Sequence, residues 1–433
     1  MDNKHVVEEF LKRYGMNPDT IDIDKECRGF IDEMDKGLKE ETSLKMLPSY
    51  ISGEGEIPIN ERVIVMDAGG TNFRVASVYF NEDNKAVIED FVQHPMPGSQ
   101  GEITSDEFYD TVAEYLRPII DRSSKIGFCF SYPTEALPDM DGRLIQFSKE
   151  IKVTGLPGQV IGKGLLQRIK EKGMDGDKNL VILNDTVATL LAGKAACMGK
   201  SYDGYIGYIL GTGTNTCYSE DTSEIKKVSG LRPGSMLINV ESGGYDKATR
   251  GAIDEEMDKG TTNPGQYAFE KMISGQYLGA VIYTAVLKAV KDGLFSQVAA
   301  EKLKALGEIV TIDGDEFMRN PYGKGRLASC FEKGDLDGRE RLYFIIDGIL
   351  ERAARLVAAN LMAIIVKTDM GTSPLRPVCI ATEGSTFYKL KSYREKIEYY
   401  MKKYLVDEKG RYYEIAKVDS SSLIGAAIAG LLL

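Results

Sequence analysis

"VIVMDAGGTNFRVASVYF", residues 63–80, opens as an apolar strand, breaks at Gly69-Gly70 and resumes as a second strand. Asp67 stands at the break. Glycine tolerates positive φ and lets a ligand approach the backbone closely. The N–H groups of Gly69, Gly70, Thr71 and Asn72 can therefore converge on an anion, with the Thr71 hydroxyl added. A plain hairpin turn accounts for a single glycine pair equally well. However, "GYIGYILGTGTNTCYSE" (204–220) repeats the pattern, with an apolar strand followed by Gly211-Thr212-Gly213 and Asn215. Neither turn has the spacing of a P-loop or of a dinucleotide-binding fingerprint. The echo predicts two similar α/β halves facing one another with a ligand between them. Asp67 suits magnesium held through water, because that ion keeps several waters and takes few carboxylates.

The rest of the chain narrows the class. At 433 residues it exceeds one ordinary core, so two domains are expected. A hydrophobic fraction of 43% with 27% charged residues belongs to a globular protein. The net charge of −11 argues against nucleic acid or an anionic membrane as a partner, so any bound anion must be held by local donors. Six scattered cysteines without metal-ligand spacing fit reduced thiols in a cytoplasmic protein. The N-terminus mixes charges through its apolar positions and is no signal peptide. "LIGAAIAGLLL" at the C-terminus is too short to span a membrane and reads as a buried helix. With only His5 and His94 available, a His-based metal site or catalytic triad is improbable.

Along the chain, residues 3–46 read as helices and 47–59 as a Pro/Gly connector. After the hairpin come a helix over about 106–121 and strands in "KIGFCFSYP" (125–133) and "NLVILND" (179–185). The later half is mostly helical, with one further strand in "RPVCIATEG" (376–384). Asn184 and Asp185 fall where a strand gives way to a helix. Two readings of Asp185 stand on this pattern: an N-cap, or a base that takes a proton from an attacking hydroxyl.

These segments, in this order, resemble the hexokinase family: "SLKMLPSYI" (43–51), "DAGGTNFRV", "FSYP" (130–133), "QFSKEIKVTGLPGQ" (146–159), "LNDTVATLLAG", "ILGTGTNTCY", "INVESGGYD" (238–246), "NPGQYAFEKMISGQYLG" (263–279) and "ATEGSTFYKLKSY" (381–393). The resemblance implies the ribonuclease-H-like, actin-like ATPase fold, with a cleft between a small and a large α/β domain. Residues 62–183 would form the small domain and 184–420 the large one. The N-terminal helices (1–61) would join the large domain, and a C-terminal helix (421–433) would return to the small one. The implied activity is ATP-dependent phosphorylation of a hexose at its 6-hydroxyl, with glucose foremost, as in the first step of glycolysis. Asp185 would be the general base, and Lys149 would sit beside the transferred phosphoryl group. Ser131, Ser148, Asn184, Asn215, Glu241 and Glu270 would hold the sugar hydroxyls. The nucleotide would lie between Gly69, Gly70, Thr71, Asn72 and Arg74 on one side and Gly211, Thr212, Gly213, Gly384, Ser385 and Thr386 on the other. Magnesium would be held mainly by the phosphates, with Asp67 in its outer shell. The resemblance leaves open a monomer or a homodimer. The chain departs from the family's usual Trp-Thr-Lys-Gly at Phe147-Ser148-Lys149-Glu150, from Glu-Trp-Gly at Glu241-Ser242-Gly243, and from Val-Asp-Gly at Thr382-Glu383-Gly384; it has no tryptophan.

Overall fold

Two apolar strands that end in glycine turns, Val63–Gly69 and Gly204–Leu210, each found a sheet, and the two sheets share one topology. The computed structural model describes residues 2–147, 151–174, 177–197 and 200–433. In the first sheet, Val63–Gly69 pairs antiparallel with Asn72–Phe80, which pairs antiparallel with Ala86–Pro95. On its other side it pairs parallel with Lys125–Phe130, which is parallel to Asn179–Leu183. The second sheet repeats this scheme. Gly204–Leu210, Thr214–Asp221 and Ser235–Asn239 form the antiparallel run, and Val378–Glu383 and Tyr413–Lys417 add parallel strands on the other side. The two-residue strand Leu47–Pro48 extends the antiparallel edge. The echo between the two glycine turns therefore marks a repeated architecture.

The strand Val63–Gly69 is apolar throughout because both faces of its sheet are covered. Ile64 and Met66 pack toward one apolar cluster, with Phe108 and Val112 of the helix Ser105–Leu116 and Leu165 of the helix Ile161–Glu171. Val63 and Val65 pack toward another, which includes Leu423 and Ala427 of the helix Ser421–Leu431. The short apolar C-terminal segment is thus a buried helix lying on the first sheet. Reciprocally, the helix Asp185–Ala196 follows the last strand of the first sheet yet packs on strands of the second. These two helices touch one another, with the backbone of Ala188 against Gly425. Each half thus lends a helix to the other.

Some element ends differ from the sequence reading. The first helices are Asn3–Arg13 and Ile23–Gly37, capped by the Asp2 and Asp22 carboxylates, and residues 38–46 are not helical. The helix expected over 106–121 begins at Ser105 with a Thr104–Glu107 capping box and stops at Leu116. Pro118 explains the stop, since it lacks an N–H and restricts the residue before it. Among the described residues no helix is long and apolar enough to cross a membrane.

Candidate active site

The parallel strands bring their C-terminal ends to one edge, where ligands of such sheets bind. Asp67 and Leu183 both lie opposite Cys129, so Asn184 and Asp185 emerge beside the glycine hairpin. The two-residue turn Gly70-Thr71 joins Gly69 to its partner Asn72. Gly70 has φ +60°, and Thr71 is not in the left-handed region, as in a type II′ hairpin turn. Glycine at that position is required by the turn itself. The tip is exposed at Gly70 and Thr71, whereas Asp67 is buried beneath it.

Burial raises the Asp67 carboxyl above its ordinary range, against lowering by the Ser422 hydroxyl and Arg74. Ser422 Oγ donates to Asp67 Oδ2 at 2.9 Å, and Arg74 Nη1 reaches the same oxygen at 3.0 Å. Oδ1 lies on the side of Gly69, toward the hairpin tip. A single carboxylate with one oxygen on the side of the glycine turn fits outer-shell contact with magnesium. Among the described residues no group of three or more His, Cys, Asp or Glu forms a cage for a metal. Arg74 pairs with Asp67 through Nη1 only, and its side chain remains 40% exposed.

At the next strand end, Asn184 is the N-cap of the helix Asp185–Ala196, and its side chain accepts the Thr186 N–H at 2.8 Å. The capping reading of Asp185 is thereby answered: Asn184 fills that role, and Asp185 occupies the first helical position. Its carboxyl is pushed up to about 7, chiefly by burial and next by the Glu241 carboxylate, with Glu383 adding to the effect. The Thr186 N–H and hydroxyl oppose this, the hydroxyl donating to Oδ1 at 3.3 Å. A helix N-terminus also favours a carboxylate, but desolvation and like charge outweigh it. A carboxyl raised toward neutrality, next to Asn184 that lines a cavity, is a candidate acid–base group.

Two of the residues predicted to hold sugar hydroxyls, Asn215 and Glu241, are joined through Asn239. Asn215 Nδ2 donates to Asn239 Oδ1 (2.7 Å) and Glu241 Oε1 (3.2 Å), and Asn239 Nδ2 donates to the same Glu241 oxygen at 2.8 Å. Glu241 takes φ +57°, a left-handed conformation that costs a non-glycine residue about 1–2 kcal/mol. Glu270 Oε2 accepts the Thr214 N–H at 3.0 Å, and burial raises its carboxyl despite that bond. Gly213 leaves room for the Glu270 carboxylate: a Cβ there would lie 2.6 Å from Glu270 Oε2 and push it aside. Ser131, Asn184 and Glu241 line a cavity of about 210 Å³ together with Lys45, Asn239 and Tyr267. Ser148 and Lys149 lie outside the described residues.

On the other side of the predicted nucleotide position, Thr386 Oγ1 donates to Gly211 O at 2.8 Å, holding the second glycine turn against the start of the helix Ser385–Lys389. That hydroxyl is buried within the protein. The sequence reading missed the serines that join the two halves. Ser421 Oγ donates to Glu383, and the adjacent Ser422 bonds Asp67, so one helix start links strand ends of both sheets. It also missed Asn239 and Tyr132, whose hydroxyl donates to Gly70 O at 2.6 Å. A polar residue ending the buried run "MLIN" was a usable signal for Asn239. None existed for the serines, whose partners are far away in sequence.

Two hexokinase family models match the chain, over residues 6–195 and 205–432. The chain belongs to the hexokinase family. Hexokinase-1 of Homo sapiens is 30% identical over 430 residues, which cover 94% of this chain and 46% of that protein. Hexokinase-7 of Oryza sativa subsp. japonica is 29% identical over 429 residues, covering 92% of this chain and 90% of its own. The chain spans about half the length of the mammalian relatives it matches. The fold matches a solved hexokinase from Schistosoma mansoni, complexed with glucose, at a TM-score of 0.76 and 21% identity, covering 100% of both chains. A second hexokinase structure matches at 0.74 and 22% identity, over 99% of this chain and 96% of the other. The actin-like architecture expected from the resemblance is the one observed.

Proposed function

We propose that this protein transfers the terminal phosphoryl group of ATP to the 6-hydroxyl of a hexose, with glucose as the foremost substrate. The observation that carries the reading is Asp185, relieved of capping by Asn184 and raised to about 7 between the acceptor network and the glycine hairpin. Glu241, Glu270, Asn184, Asn215 and Ser131 hold the non-reacting hydroxyls, since ionised carboxylates are strong acceptors for a polyol. Asp185 takes the proton of the 6-hydroxyl as its oxygen bonds to the phosphorus and the bond to the nucleotide's leaving oxygen breaks. A pKa near the working pH lets one carboxyl be ionised before the step and accept the proton during it. Lys149 opposes the charge developing on the transferred group. Backbone N–H groups of Gly69–Thr71, Thr212 and Gly213 hold the phosphates, while the Gly211 N–H closes its own turn by donating to Gly213 O at 2.9 Å. Magnesium, when bound, would neutralise phosphate charge, and Asp67 would be the carboxylate to contact it through water.

The domains proposed are 62–183 for the small body and 184–420 for the large, with 1–61 joining the large and 421–433 the small. Sugar binding closes the cleft and excludes water, which would otherwise hydrolyse the donor. The test is a panel of hexoses against ATP, other nucleotides, ADP and polyphosphate, read as sugar phosphate formed. Nucleotide turnover that no hexose stimulates would refute the reading.

A further inference from the structure

The helix that begins at Asp185 and the strand Val378–Glu383 are packed unusually closely, because Gly193 faces Ala381. A Cβ on Gly193 would lie 2.4 Å from the Ala381 Cβ. Four residues further along the helix is Cys197, and two residues earlier along the strand is Cys379. These steps, one helical turn and one strand repeat, keep both residues on the faces already in contact. The two Sγ atoms are 3.3 Å apart. Neither thiol has a part in the proposed reaction.

The surroundings of the two sulfurs differ. Cys197 is 9% exposed, whereas Cys379 is fully buried. The contact with Cys379 lowers the Cys197 thiol, aided by the Tyr202 hydroxyl and Lys200 and opposed by burial and Glu414. Lys200 and Tyr202 both bond Glu414, which is paired with Cys379 across the sheet, so these groups are held in place. Cys197 is thus the less buried sulfur and the one that ionises first, with its partner behind it.

We propose that Cys197 and Cys379 are a modification site for small-molecule disulfides, which convert the pair to an internal disulfide. The Cys197 thiolate attacks one sulfur of the reagent, whose S–S bond breaks, and the released thiolate takes up a proton. Cys379 then loses its proton, attacks the Cys197 sulfur and expels the second reagent thiol. Two protein thiols are oxidised by two electrons, and one reagent disulfide is reduced to two thiols. The new bond closes a loop between residues 182 positions apart, and long loops gain most from crosslinking.

The test incubates the folded protein with oxidised glutathione, blocks free thiols with an alkylating agent, and maps peptides by mass spectrometry without reduction. A Cys197–Cys379 crosslink in preference to other pairs, with a melting temperature several degrees higher that reverts on reduction, is expected. Cys379→Ala should trap a glutathione adduct on Cys197, and Cys197→Ala should leave Cys379 unmodified. Finding all six cysteines alkylated would overturn the proposal. So would an adduct that persists on Cys197 in the unaltered protein, or a crosslink that forms between other cysteines first.

Discussion

Replacing Asp185 by asparagine should slow catalysis severely and, at alkaline pH, stabilise the fold. The carboxyl is raised in the folded protein from 3.8 to about 7, so the folded state holds this proton more tightly than the unfolded chain does. The sign follows from linkage. The contribution of the protonated form is fully present below about 4, falls as pH rises, and is gone above about 7. Each pH unit between the two values is worth about 1.36 kcal/mol, so ionising Asp185 in place costs about 4 kcal/mol at most. The side chain keeps some contact with solvent, and screening reduces the figure to about 2 kcal/mol. Asparagine has nearly the same shape and no charge at any pH. Asp185→Asn should therefore melt about 2–4 °C higher than the unaltered protein at pH 8 and at the same temperature near pH 3, below both values. In parallel, kcat should fall by ~10²–10⁴, the usual range for a lost general base. Differential scanning calorimetry at the two pH values, with a coupled assay for sugar phosphate, measures both. A melting difference that is independent of pH, or a loss of stability at pH 8, would show that burial and Glu241 do not suppress this charge. A near-normal kcat would remove Asp185 from the mechanism.

The logarithm of kcat/KM should fall with a slope of one below about pH 7, and Glu241→Gln should move that limb to lower pH by removing a neighbouring negative charge; an unmoved limb counts against the pairing. Glu270→Ala should weaken glucose binding with a smaller effect on kcat, as read by calorimetric titration, and unchanged affinity would refute its placement. Gly213→Ala should reproduce that weakening, because the new methyl displaces the Glu270 carboxylate. Away from the site, the buried Arg352–Asp254 pair (2.7 Å) should make Arg352→Ala cost about 3–5 kcal/mol in denaturant unfolding, since one charge is left unpaired.

Much of the molecule was legible in local pattern. The apolar runs broken by glycine announced the two founding strands, and the position of Gly70 in the turn follows from its own steric freedom. The apolar C-terminal stretch was readable as a buried helix from length and composition. The ordered series of motifs pointed to the family and to Asp185.

Other features depend on groups distant in sequence. From "NLVILND" alone, Asp185 could be the helix cap or a base; the way the strand end enters the helix gave the cap to Asn184 instead. The Asp185 carboxyl rises chiefly because the fold buries it and next because Glu241, with Glu383, lies near it in space; burial and charge interaction follow distance in space, not separation along the chain. Ser421 and Ser422 bind carboxylates from two different sheets only because their helix crosses from one half to the other. Propensity and turn chemistry are local and can be read from residues. Desolvation, charge pairing and helix exchange exist only once distant segments are brought together.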